Sequence, residues 1–202
     1  MEDDFKNIVS TDWLEQHLEA PDIRIIDSSW YFPQEKRNAE QEFLECHIPG
    51  ASFFDIDKIK DNDSDLPHML PPSAMFNSTV RKLGIGDGHK VVIYDGLGMR
   101  SAARLWWMFK VFGYSDVVVL DGGFPKWVKE NRLTTADLTE KEIRHLTIYE
   151  DKSIVADRDD VLRATKLNHC SIIDARSEGR FMGTAPAVSY THLRAHETPL
   201  HR

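Results

Sequence analysis

The residues best placed for chemistry form one run, Asp95-Gly96-Leu97-Gly98-Met99-Arg100-Ser101-Ala102. It follows Lys90 to Tyr94, which reads as a strand, and opens Arg100 to Phe112, which reads as a helix stopped by Gly113. A loop between a strand end and a helix N-terminus offers several backbone N–H groups and the positive helix end to an anion. As a pattern it is G-x-G-x-x-S, close to the dinucleotide fingerprint built on Gly96 and Gly98, with Asp121 standing where a ribose-binding acid would. Ser101 replaces the third glycine, however, and Met99 and Arg100 crowd the turn. A strand–helix unit preceded by two earlier strands is also not the usual first unit of a dinucleotide fold. The other chemical groups are sparse. Cys46 precedes a turn and reads as a partly buried bystander, while Cys170 sits before a strand and reads as core. His192, His196 and His201 lie in an unpatterned tail and receive no role.

The elements that must position this loop follow from periodicity. Ser10 can cap a helix through about Leu18, and Ile23 to Asp27 reads as a short buried strand. Residues 31–46 read as loop plus helix, ending at the turn His47-Ile48-Pro49-Gly50, and Ala51 to Phe54 as a second strand. Asp55 to Pro72 is an aspartate- and proline-rich surface loop, long enough to carry function. Ser73 caps a helix closed by Gly84, and Val117 to Leu120 is a strand ending in Asp121-Gly122-Gly123. Continuous Val/Ile strands joined through a helix imply a parallel sheet covered on both faces. The helix with Ala102, Ala103, Leu105, Trp106, Trp107, Phe109 and Val111 is apolar nearly all round and is expected to be deeply buried, its tryptophans in the core. Pro125 to Glu130 adds a short helix, and residues 131–150 suit a linker.

The chain also repeats. Ile8-Val9-Ser10-Thr11-Asp12 and Ile23-Arg24-Ile25-Ile26-Asp27 find counterparts in Ile154-Val155-Ala156-Asp157 and Ser171-Ile172-Ile173-Asp174 at nearly one offset, a domain's length apart. The organisation expected is one α/β domain over residues 1–145, then the incomplete start of a second copy over 146–186 with a helix near Asp157 to Lys166 and a strand at Ile172 to Asp174. Residues 187–202 have no period. They resemble translated sequencing-adapter read-through, and they read as a non-native tail.

A formal charge of −8 argues against a general nucleic-acid or anionic-membrane surface. Two distant cysteines suit a reducing compartment, and the acidic start Met1-Glu2-Asp3-Asp4 is not a targeting signal, so the cytoplasm is expected.

Three motifs occur in order: His47-Ile48-Pro49-Gly50-Ala51, then Tyr94-Asp95-Gly96 with Ser101-Ala102-Ala103-Arg104-Leu105-Trp106-Trp107, then Leu120-Asp121-Gly122-Gly123-Phe124-Pro125-Lys126-Trp127. Together they resemble the rhodanese superfamily, and within it the two-domain mercaptopyruvate/thiosulfate sulfurtransferases. The resemblance implies a rhodanese-like parallel β-sheet flanked by helices, in tandem copies, with no cofactor and no metal. It implies a small anionic sulfur donor (3-mercaptopyruvate or thiosulfate) and a thiol or cyanide acceptor. In that family a cysteine opens the strand-to-helix loop of the second domain and carries sulfur as a persulfide, stabilised by backbone N–H groups. Here Asp95 stands at that position, so this copy is expected to be non-catalytic. The repeat offset places the cysteine at about position 242, so the chain as written is expected to be inactive. The resemblance aligns Asp57 and His68 with an aspartate–histidine pair that supports proton transfer, and Arg180 with an arginine that reads the substrate carboxylate. Arg176 is expected to make a structural ion pair. A second family arginine after Thr184 has no counterpart in Ala185-Pro186-Ala187. A catalytically silent binding module is the alternative class, and a dinucleotide enzyme using Gly96 and Gly98 the more remote one.

Overall fold

The computed structural model describes residues 6–167 and 170–185. The chain divides into two compact units, the boundary falling between Ile154 and Val155.

The first unit is built on a five-stranded, wholly parallel sheet. In chain order its elements are β1 (Ile8–Val9), α1 (Thr11–Gln16), β2 (Ile23–Asp27), α2 (Ala39–Glu45), β3 (Ser52–Phe53), α3 (Ser73–Lys82), β4 (Lys90–Tyr94), α4 (Ala102–Val111), β5 (Val117–Leu120) and α5 (Gly123–Lys129). The strands lie in the order β1-β5-β4-β2-β3. Alternation along the central strands builds two cores from one sequence run. Ile26, Val91, Ile93, Val117 and Val119 face α3 and α4, where Phe76, Leu105, Phe109 and Phe112 close over them. Ile25, Val92, Tyr94, Val118 and Leu120 face the other way, towards Leu14 of α1, Phe43 of α2 and Trp127 of α5. The parallel sheet covered on both faces is therefore as expected.

Local differences have physical causes. Strand β1 is too short for a periodic signal; it exists because Ile8 and Val9 pair with Val119 and Leu120. Ser10 does cap α1, its hydroxyl accepting from the Trp13 N–H at 3.1 Å. Ser73 is not a cap. Pro72 takes that position and Ser73 is the first helical residue. Helix α4 is not sunk on all sides, because it packs on the sheet through one face, that of Ala102, Leu105, Met108 and Phe109. Ala103 is exposed, and Trp106 and Trp107 are half-buried at the edge of the core rather than inside it.

Residues 131–150 are not a free linker. Thr135 forms an antiparallel bridge with His47. The Arg81 side chain donates to the Arg144 carbonyl at 2.8 Å. Asp87 N–H donates to the His145 carbonyl at 3.0 Å and Tyr149 N–H to the Phe112 carbonyl at 3.1 Å. Leu146 joins the α3/α4 core, 4% exposed. The segment is a strap, and glycines make room for it. A Cβ at Gly86 would stand 2.7 Å from the His145 carbonyl oxygen, and one at Gly113 (φ +75°) 2.5 Å from that of Tyr149. Gly113→Ala combines a left-handed backbone with a backbone clash, so urea denaturation should register a loss of about 2 kcal/mol or more.

In the second unit, α6 (Arg158–Lys166) is closed by a capping box in which Asp157 and Asp160 bond each other's backbone N–H. A short helix, α7, spans Glu178–Phe181. The strand expected at Ile172 to Asp174 is absent. A strand needs a hydrogen-bonded neighbour, and among the described residues this unit supplies none; Ile173 is 87% exposed. For the same reason Cys170, expected in a core, is exposed. Arg176 makes its ion pair with Asp174 at 2.6 Å. The proposed tail, residues 187–202 with His192, His196 and His201, lies outside the described residues.

Candidate active site

Parallel strands deliver their loops to one edge, and the C-terminal edge is where open α/β sheets place ligands. Asp27 ends β2, Asp95 follows β4, and Asp121 follows β5.

The Asp95–Ala102 loop does form an anion cradle, and its occupant is the loop's own carboxylate. Asp95 Oδ1 accepts from the N–H groups of Leu97 (2.9 Å) and Met99 (3.1 Å), and Oδ2 from that of Ala102 at the start of α4 (2.8 Å). The residue is 1% exposed. Gly96 N–H is taken by the Ser29 hydroxyl at 2.8 Å. The Asp121-Gly122-Gly123 turn packs against the same loop: Phe124 N–H donates to the Asp95 carbonyl at 2.9 Å, and a Cβ at Gly123 would stand 2.6 Å from that oxygen.

These contacts correct the dinucleotide reading. Four of the loop's N–H groups, those of Gly96, Leu97, Met99 and Ala102, are already used, and a Cβ at Gly96 would stand 2.1 Å from the Tyr31 hydroxyl, which already fills that approach. The presumed ribose acid, Asp121, is ion-paired with Lys126 at 2.6 Å. Titration with NAD or NADP into the millimolar range should leave the protein's spectrum unchanged.

Asp27 lies beside this loop, buried, with Oδ1 accepting from Ser29 N–H at 2.7 Å. Burial pushes its carboxyl up to about 6, and the nearby Asp95 charge pushes the same way, against the lowering effect of hydrogen bonds from Ser29 and Tyr94.

The long loop after β3 brings Asp57 and His68 together. His68 Nε2 donates to Asp57 Oδ1 at 2.5 Å. The Trp30 indole N–H donates to Asp57 Oδ2 at 3.1 Å, and the Trp30 ring meets the His68 ring edge-on, centroids 5.0 Å apart. Asp57 is open to solvent (60% side-chain exposure) and His68 more sheltered (22%). A histidine held through one nitrogen by a carboxylate, with its ring braced by an indole, is a group that can move a proton. A cavity of about 240 Å³ opens beside Asp57, lined by Ser29, Trp30, Arg37, Asn38 and Asp57 among others.

Arg180 lies in α7 of the second unit, half-buried. Cys46 is at the C-terminal cap of α2, partly buried. Two further residues of this edge touch the pair: the Trp30 indole bonds Asp57, and the Arg104 guanidinium bonds the His68 carbonyl. Trp30 reads in sequence as one more aromatic. Arg104 reads as one residue of the Ser101–Trp107 motif, and its charge among apolar neighbours is the signal that marks it. Among the described residues no group of three or more His, Cys, Asp or Glu side chains could hold a metal ion, and no helix is long and apolar enough to cross a membrane.

A parallel sheet with covered faces, a strand-to-helix anion cradle and the Asp-Gly-Gly turn packed against it define a class. The rhodanese-like domain model matches residues 10–130, and the chain belongs to that family. Among curated relatives it is 39% identical to 3-mercaptopyruvate sulfurtransferase of Rattus norvegicus over 90% of this chain. It is 40% identical to thiosulfate sulfurtransferase of Bos taurus over the same share, and 41% identical to thiosulfate/3-mercaptopyruvate sulfurtransferase 1, mitochondrial, of Arabidopsis thaliana over 89%. The chain spans 63% of the length of the rat and bovine relatives and 53% of the Arabidopsis one. Among solved structures, SseA from Escherichia coli, a 3-mercaptopyruvate sulfotransferase of rhodanese fold, aligns with a TM-score of 0.81 at 39% identity, covering 86% of this chain and 67% of that one.

Proposed function

We propose that the chain belongs to a sulfurtransferase of the 3-mercaptopyruvate/thiosulfate type, which moves sulfane sulfur through a cysteine persulfide to a thiol or cyanide. In this reading the first unit is the non-catalytic rhodanese-like copy and the second unit the opening of another. The observation that carries the division is the Asp95 carboxylate filling its own cradle. A carboxylate has no sulfur to pass on, and it occupies the site where a thiolate or persulfide would be stabilised. The three N–H groups that converge on Asp95 bind its carboxylate and no thiol. Asp57 and His68 then serve as a proton-handling pair for the departing enolate, and Arg180 as a reader of the substrate carboxylate. The two free thiols suit a reducing compartment, and the cytoplasm is our proposed location.

The test is a sulfur-transfer assay on the 202-residue chain. With 3-mercaptopyruvate or thiosulfate and a thiol or cyanide acceptor, pyruvate, sulfide and thiocyanate should appear at the rate of a protein-free control. Release above that control, persisting after Cys46→Ser and Cys170→Ser, overturns the silent-copy reading. The self-filled cradle also favours a second reading, a silent rhodanese-like module that docks to a partner. Capture of one defined protein by the first unit, unaffected by Asp57→Asn or His68→Ala, supports that reading over the first.

A further inference from the structure

We infer that Arg104 is the positioning residue of the Asp57–His68 pair, an inference that rests on the reading that this pair handles a proton. The pair is carried by Asp55 to Pro72, a stretch without regular structure, yet two side chains on it meet at 2.5 Å. A flexible loop does not hold such geometry unaided, and misplacement by an ångström is costly to proton transfer.

The Asp57 side has visible support. Its backbone N–H bonds Asp55 Oδ1 at 2.9 Å, and its carboxylate takes the Trp30 indole. The His68 side is the harder one, because His68 adopts a left-handed backbone, φ +56°, which costs a residue with a Cβ on the order of 1 kcal/mol. Something must hold it there.

Arg104 does so from rigid helix α4. Its Nη2 donates to the His68 carbonyl at 2.6 Å. The guanidinium stacks over the Trp107 ring one turn further along, 4.6 Å from its centroid. Among the described residues no carboxylate pairs with Arg104, and its Nε is buried without a partner. Burial lowers its pKa. A partly buried cation without a counter-ion destabilises the fold, so its place among the apolar residues of the first turns of α4 calls for a local gain. That gain is the charge-assisted bond to a strained backbone. Two fixed points, the carbonyl held by Arg104 and Nε2 held by Asp57, then set the direction of the imidazole. Freed from Arg104, residue 68 returns to negative φ, and its Cβ swings away from Asp57.

The experiment follows the His68 ring and the Trp30 indole by ¹H–¹⁵N NMR in the 202-residue chain. Asp57→Asn is the control for the pair and should move both signals. Arg104→Gln should move both in the same sense, and Arg104→Lys, which keeps a charged donor, should restore most of the change. In the unsubstituted protein the Arg104 Nη groups should rotate about tenfold more slowly than those of an exposed arginine such as Arg158, as a guanidinium held at fixed geometry does. This measurement stands even if Arg104→Gln does not fold. Fast Nη rotation overturns the inference, as do unmoved His68 and Trp30 signals in a folded Arg104→Gln protein whose Asp57→Asn counterpart moves both. If Asp57→Asn moves neither, the pair itself is absent and the proton-handling reading fails with it.

Discussion

Replacing Asp95 with alanine should destabilise the first unit by about 3 kcal/mol or more, because three backbone donors lose a charged acceptor at once. The donors are Leu97, Met99 and Ala102, the last of them buried. No side chain of the loop replaces the lost oxygens, and the site is too enclosed for free hydration of all three groups. Asp95→Asn keeps one acceptor oxygen and should lose roughly half as much. Urea denaturation at pH 7 provides the comparison. A loss below about 1 kcal/mol for the alanine variant would mean that the loop re-forms without its internal anion, and the cradle described here would then not be a structural necessity.

Asp27→Asn should do the opposite and stabilise the unit, by an amount that depends on pH. The folded value of about 6 lies above the ordinary 3.8, so the fold prefers the protonated acid. Its favourable contribution is therefore full below about pH 4 and is lost as pH rises through about 6. The upward push corresponds to roughly 3 kcal/mol between those limits. Asparagine cannot ionise and still offers an oxygen to Ser29 N–H. The variant-minus-parent difference in unfolding free energy should thus grow by about 2–3 kcal/mol from pH 4 to pH 7.5, then stay flat. A difference that does not change with pH would show that Asp27 titrates normally. Burial is the larger cause of the shift and the Asp95 charge a smaller one, so the slope should shrink but persist in an Asp95→Ala background.

The sequence made the central architecture legible where a physical rule left little choice. Continuous Val/Ile runs at Val91 to Ile93 and Val117 to Val119 can be buried on both sides only in a covered parallel sheet, and they are. The anion cradle was legible from its place between strand and helix. That its occupant is the loop's own carboxylate was not, because hydrogen-bond direction leaves no periodic trace. The strap leaves no sequence signal for a similar reason: Leu146 and Ile148 anchor it among charged neighbours, and its fit depends on Gly86 and Gly113, distant in sequence. Ile172 to Asp174 erred the other way. Local preference for a strand was present, but preference forms no ladder without a partner.

The edge pairing of β1 with β5 also bears on how this protein is made. Ile8 waits for Val119, and the strap that seals the α3/α4 core arrives only with Leu146 and Tyr149. As the polypeptide leaves the ribosome, well over a hundred residues must emerge before the first strand can find its neighbour. The topology is one of high contact order, in which loop-closure entropy is lost early and regained late. Until β5 emerges the nascent chain therefore holds the edge of β4 unpaired, and this is the interval in which chaperone capture, or aggregation in its absence, competes with folding.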